Sequence, residues 1–155
     1  QRWSAARITE TLSLTWGDVA AGHVTYRKAA TKTKATKQIR CTDRLQAALD
    51  DYRQAWADEH GHVPAAGEVL FPATGSTHTP MSRQAADKAL RSTAKRLGFE
   101  GVSTHSFRRS FATGALKRGQ SLPAVQRVTG HQSLSGLTPY IEVDEVDVMA
   151  ALADA

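Results

Sequence analysis

HSFRRSFATGALKRGQSLPAVQRVTGHQSLSGLTPY, residues 105–140, is the stretch from which the rest of the chain can be read. It places two histidines (His105 and His131), several arginines and one late tyrosine, Tyr140, in a run of short helices. Phe107, Phe111, Ala115 and Leu116 fall on one face at helical spacing, and Gly119 ends that helix. Ser121 caps the next, with Pro123 in its first turn, where a missing N–H costs nothing. Gly130 ends it, so His131 directly follows a helix C-terminus. One more short helix leads to Tyr140.

Two other stretches answer to this one. Near the start, AARITETLSLTWGDV (residues 5–19) predicts a helix over 5–15, with Ile8 and Leu12 on one face and Gly17-Asp18 as its stop. Val24 with Tyr26, and Ile39 with Cys41, alternate as short strands do. Between them Ala29 to Lys37, which holds the lysine-rich TKTKATK (residues 31–37), is too polar for a core and predicts a hairpin or β-turn with lysines projecting. Leu45, Ala48, Leu49, Tyr52 and Trp56 define a helix over 43–58, capped by Thr42 or Asp43. A long loop is expected over 60–80, broken by the apolar Val69-Leu70-Phe71. Ser82 starts a helix over 82–97, with Ala86, Leu90, Ala94 and Leu97 inward and Gly98 past its end. The tail, residues 144–153, is an acidic amphipathic stretch with Val146, Met149, Ala150 and Ala153 as its stripe. Trp16 and Trp56 are expected in the core, and Glu10 and Asp18 in a local ion pair and a turn. The fold class is α+β, mostly α-helical, with a small antiparallel β-sheet toward the N-terminal side.

Composition narrows the function. A chain of 155 residues is long enough for one domain with a proper core. Twenty Lys and Arg against fifteen Asp and Glu leave a net charge of +5, which favours a polyanionic partner, nucleic acid above all. The single cysteine, Cys41, excludes an intrachain disulfide and a cysteine metal cluster. His60 and His62 lie close together but lack an evident third ligand. No apolar run has membrane-spanning length, and no signal peptide opens the chain. A reducing, cytosolic compartment is expected.

The residue types suit strand cleavage in DNA without a metal. A planar guanidinium grips two phosphate oxygens and stays charged. Histidine donates hydrogen bonds or moves protons near neutral pH. A lysine can protonate a leaving oxygen, and a tyrosine hydroxyl can attack phosphorus and keep the bond energy in a covalent phosphotyrosine. Spacing alone does not bring Arg7, Lys32 and His105 together.

A resemblance does. Arg7, Glu10, Leu12, Leu14, Trp16 and Asp18 resemble the first conserved box of the tyrosine recombinases, the phage integrase family. His105 with Arg108, then Gly130-His131, then Tyr140 nine residues after His131 resemble its second box. The likeness covers essentially the whole chain. It implies the catalytic-domain fold of the DNA breaking-rejoining enzymes over residues 1–155, with further catalytic-domain helices and an N-terminal core-binding domain upstream. By the family pattern, Arg7 and Arg108 clamp the scissile phosphate. His105 bonds a non-bridging oxygen and takes the tyrosine proton, His131 supports the same phosphate, and Tyr140 is the nucleophile. Lys32 is the general acid, by its Lys-Thr pair and by Ile39 seven residues on; Lys34 is the rival. Lys28, Lys34, Lys37 and Arg109 are the candidate DNA contacts.

The implied activity is site-specific recombination, integration or excision of a phage or mobile element. It uses a 3′-phosphotyrosine intermediate and needs no cofactor, metal or ATP. The implied partners are double-stranded DNA attachment sites, a homotetramer on DNA, and accessory DNA-bending or directionality proteins. The tail after Tyr140 would dock on a neighbouring subunit or on its own domain. Two other readings share the residues: a type IB topoisomerase-like enzyme, and a degenerate DNA-binding module that keeps the fold without activity. Two departures stand out. Ala5 occupies a position where the family usually has glycine, a mild change if that position is helical. Pro139 restricts Thr138 just before the tyrosine.

Overall fold

The computed structural model describes residues 1–31 and 35–141. Helix α1 (Ile8–Leu12) is followed by a 3-10 turn (Trp16–Asp18) and a three-stranded antiparallel sheet, β1 (Val19–Ala20), β2 (His23–Tyr26) and β3 (Lys37–Arg40), in the order β1-β2-β3. The long helix α2 (Asp43–His60) comes next, then a hairpin of β4 (Pro72–Ala73) and β5 (Ser76–Pro80), and α3 (Arg83–Arg96). The chain then runs through α4 (Ser106–Lys117), α5 (Leu122–Thr129) and a 3-10 helix, Leu134–Tyr140. The expected tail helix lies outside the described residues.

Local chemistry sets most of these boundaries. Thr42 Oγ1 accepts from Leu45 N–H at 3.3 Å, Ser82 Oγ from Ala85 N–H at 3.1 Å, and Ser121 Oγ from Ala124 N–H at 3.4 Å. These are the N-caps expected from their side chains. Two differences from expectation have clear causes. The first helix covers only Ile8–Leu12 rather than 5–15, because Leu14 and Thr15 are drawn into pairing with the 69–70 segment: Leu70 N–H donates to Leu14 O at 2.9 Å and Thr15 bridges Val69. The expected loop over 60–80 contains the β4–β5 hairpin, whose turn holds Gly75 at φ +83°. Short, polar strands of this kind lack the apolar alternation that marks a strand in sequence.

Two apolar clusters form. The first gathers Ala6, Leu14, Trp16, Val24, Tyr26, Trp56 and Leu70, with Leu45, Leu49 and Tyr52 of α2 packed against it. Its centre is aromatic. Trp16 stacks on Tyr52 with centroids 5.8 Å apart and meets Trp56 edge-on at 6.2 Å. Tyr52 donates its hydroxyl proton to Leu70 O at 2.6 Å. The second cluster joins Ala112 and Ala115 of α4, Val125 of α5 and Leu137, with Tyr140 packed at its edge. His60 and His62 flank Trp56, with ring centroids 4.1 and 5.3 Å away. His62 Nε2 pairs with the Glu68 carboxylate at 3.1 Å.

Trp56 is 1% exposed at the junction of helix, sheet and loop. Trp56→Ala is expected to lower stability by about 3–5 kcal/mol, the range for large aromatic truncations in a core. Urea unfolding followed by far-UV circular dichroism measures it.

Candidate active site

The site is built where the start of the chain meets α4, the end of α5 and the 3-10 helix that carries Tyr140. Arg7 sits just before α1. Its backbone N–H donates to Glu10 Oε2 at 2.8 Å, and its Nη1 to Glu10 Oε1 at 3.0 Å. Glu10 is buried, so this expected local ion pair also fixes the guanidinium's direction. That leaves Nη2 to donate to the Gly130 carbonyl at 3.1 Å. Arg108, on α4, is 6% exposed, and its Nη1 donates to the Ala5 carbonyl at 2.7 Å. Ala5 has φ +51°, so it is left-handed rather than helical, and the alanine in place of the family's glycine is not the mild change it would be in a helix. That conformation costs an L-residue about 1–2 kcal/mol.

His131 is presented by the end of α5. Gly130 takes φ +68° and its N–H closes on Gln126 O at 2.7 Å, the left-handed helix stop that glycine favours. Gln126 Nε2 then donates to His131 O at 3.0 Å. The buried Thr129 hydroxyl donates its one proton to Val125 O at 2.8 Å. Its oxygen is therefore the acceptor for His131 Nδ1–H at 2.7 Å. Nδ1 carries the proton and Nε2 is left as an acceptor, facing Arg108 Nη2 at 3.4 Å. Burial, then the charges of Arg108 and Arg7, push the His131 imidazolium below its ordinary pKa. Burial, then Arg7, also lowers Arg108.

Tyr140 ends the 3-10 helix, half-buried, with its ring 5.9 Å from that of His131. Pro139 is accommodated inside this 3-10 turn. Gly136 lies under the histidine, where an added Cβ would come within 3.2 Å of His131 Cδ2.

The structure thus brings Arg7, Arg108, His131 and Tyr140 together. His105 is at the N-cap of α4, exposed, one turn before Arg108. It lines a groove of about 330 Å³ with Arg83, Gln84, Asp87 and Arg91 of α3. Arg109 is exposed on the other face of α4, beside Ser106, Ser110 and Thr113. Lys28 is exposed in a short 3-10 turn. Lys37 turns inward, its Nζ donating to the Val128 carbonyl and lying 5.8 Å from the Tyr26 ring centroid. Lys32 and Lys34 lie outside the described residues. Sequence reasoning missed Thr129 and Gly136. It also missed the inward turn of Lys37, though a residue two before the inward Ile39 shares its face on a strand.

The model of the phage integrase family matches residues 2–146, and the chain belongs to that family. Among curated relatives, the probable integrase/recombinase YoeC of Bacillus subtilis is 29% identical over 96% of this chain and 76% of its own length. The tyrosine recombinase XerC of Neisseria gonorrhoeae is 33% identical over 97% of this chain and 47% of its own. The chain thus spans about half the length of such XerC proteins. The same fold is found in the crystal structure of XerA recombinase, with a TM-score of 0.75 at 17% identity, covering 99% of this chain and 54% of that one. It is found again in XerH site-specific recombinase bound to palindromic difH substrate, with a TM-score of 0.73 at 22% identity, covering 98% and 42%. The expected α+β catalytic-domain fold is therefore the observed one. Among the described residues no helix is long and apolar enough to cross a membrane.

Two outcomes test this geometry. By NMR, His131 should titrate below the ordinary 6.5, and Arg7→Met should raise its pKa, because one of the two cations opposing protonation is removed. Gly136→Ala should displace the imidazole by a few tenths of an ångström, seen as a shift of the His131 ring resonances with the fold intact.

Proposed function

We propose that this chain is the catalytic domain of a tyrosine site-specific recombinase that integrates or excises a phage or other mobile element. The observation that carries the reading is the meeting of Arg7, Arg108, His131 and Tyr140, two of them joined by hydrogen bonds to backbone more than 100 residues away in sequence.

The chemistry follows from the charges. A scissile phosphate entering between Arg7 and Arg108 meets two guanidiniums whose positive charge is only partly balanced by Glu10. The Tyr140 oxygen attacks phosphorus, forming the 3′-phosphotyrosine bond as the bond to the 5′ oxygen breaks. The tyrosine proton passes to His105 or to the acceptor Nε2 of His131, which holds only a long bond from Arg108 and whose neutral form is favoured by burial and nearby cations. Lys32 or Lys34 gives a proton to the leaving 5′ oxygen. Religation reverses each transfer, so no external energy source enters. Lys28 and Arg109, both exposed, would meet backbone phosphates. Attachment-site DNA is the substrate, a homotetramer the working assembly, and the cytoplasm the compartment. Accessory DNA-bending or directionality proteins act alongside it, and upstream catalytic-domain helices and a core-binding domain complete the clamp on DNA.

Covalent trapping on a nicked duplex carrying the element's attachment site tests the reading. A protein–DNA band on a denaturing gel is expected, lost in Tyr140→Phe and reduced about 10²–10³-fold in rate in Arg108→Ala. Tight DNA binding without any band would leave a binding module in place of the enzyme.

A further inference from the structure

We infer that Lys37 is a positioning residue for His131, holding the carbonyl end of α5 against the sheet, rather than a contact to DNA. The inference rests on the recombinase reading above for its catalytic consequence.

The argument begins at the end of α5. The last four carbonyls of any helix have no partner within it, and they carry the negative end of its dipole. Here cations from the other half of the chain meet two carbonyls at this end. Arg7 Nη2 donates to Gly130 O at 3.1 Å, and Lys37 Nζ donates to Val128 O across 91 residues of sequence. Between these carbonyls lies Thr129, whose hydroxyl fixes His131 Nδ1. The two cations therefore bracket the residue that sets the imidazole's tautomer and direction.

Lys37 is built for that place. It opens β3 opposite Tyr26, on the same face as Ile39, and is half-buried. Its ammonium lies by the Tyr26 ring, itself 2% exposed. Burial lowers its pKa, the nearby Glu10 carboxylate acts in the opposite direction, and Arg108 and Arg7 lie close enough to lower it further. A lysine that contacts phosphate from a hairpin keeps its ammonium in water. This one is directed at a helix end.

The test compares Lys37→Met and Lys37→Arg with the wild-type protein. Amide exchange at Gly130 reports the turn, duplex affinity against salt reports DNA contact, and single-turnover cleavage of the nicked duplex reports chemistry. In Lys37→Met, Gly130 exchange should quicken about tenfold or more. Cleavage should fall by about 30-fold or more while affinity and its salt slope hold, and Lys37→Arg should recover most of the rate. Weaker binding with the salt slope reduced by about one, and exchange unchanged, would make Lys37 a phosphate contact and overturn the inference. Faster exchange with unchanged cleavage would overturn it as well, leaving a merely structural lysine. Should Lys37→Met not fold, Lys37→Arg decides: it must keep both wild-type exchange and most of the cleavage rate. If the wild-type protein forms no covalent product, the recombinase reading fails on its own, and Gly130 exchange still shows whether Lys37 holds the turn.

Discussion

A guanidinium taken out of water must find acceptors, and Arg108 finds few. It is nearly fully buried, with one strong bond, to the Ala5 carbonyl, and one long one, to His131. Arg7 and Lys37 stand close by with the same sign, and Glu10 is the carboxylate that acts on both Arg108 and Lys37. Buried like charges oppose folding. What holds them in place is backbone carbonyls, at Ala5, Val128 and Gly130, which satisfy the donors without cancelling the charge. The site is consequently an electropositive cluster anchored by a few backbone bonds, with its charge left over. That is the condition under which an arriving phosphate gains most, because the donors are already oriented.

The same constraint explains the strained start of the chain. A helical Ala5 would point its carbonyl along a helix axis. The left-handed turn at φ +51° directs it to Arg108 instead. Strain of this kind persists only where surrounding contacts over-determine it, and here Ala5 and Ala6 are both fully buried. At the other end, Gly130 makes a similar turn without strain, since glycine has no Cβ to clash.

Much of this was legible in the residues. Ser82 and Ser121 announced their helices, Gly119 and Gly130 their ends, and the two boxes put Arg7, Arg108, His131 and Tyr140 in one family pattern. Local chemistry writes such signals directly into the chain. What was hidden depended on distant partners. Nothing in AARITETL says that the helix stops at Leu12, because the strand-like pairing that stops it is made with Leu70 and Val69. Nothing in Ala5 signals a left-handed residue. Lys37 was read as one more lysine of a polar turn, although its alternation with Ile39 placed it on the inward face. The charge of the residue obscured its register.

The two apolar clusters have a consequence for how the molecule assembles. One is drawn from residues 6–71 and the other from 111–140, so each can condense from its own part of the chain. The bonds from Arg7 to Gly130, Arg108 to Ala5 and Lys37 to Val128 cross between these parts, closing loops of 123, 103 and 91 residues. Closing one such loop carries an entropy cost of about 4 kcal/mol beyond a constant, before any contact within it is rewarded. The order of events during folding follows: helices and apolar clusters come first, and the cationic centre last. In refolding, the bonds of the cationic centre are expected to form after the helices and apolar clusters, because their loop-closure cost comes before any reward.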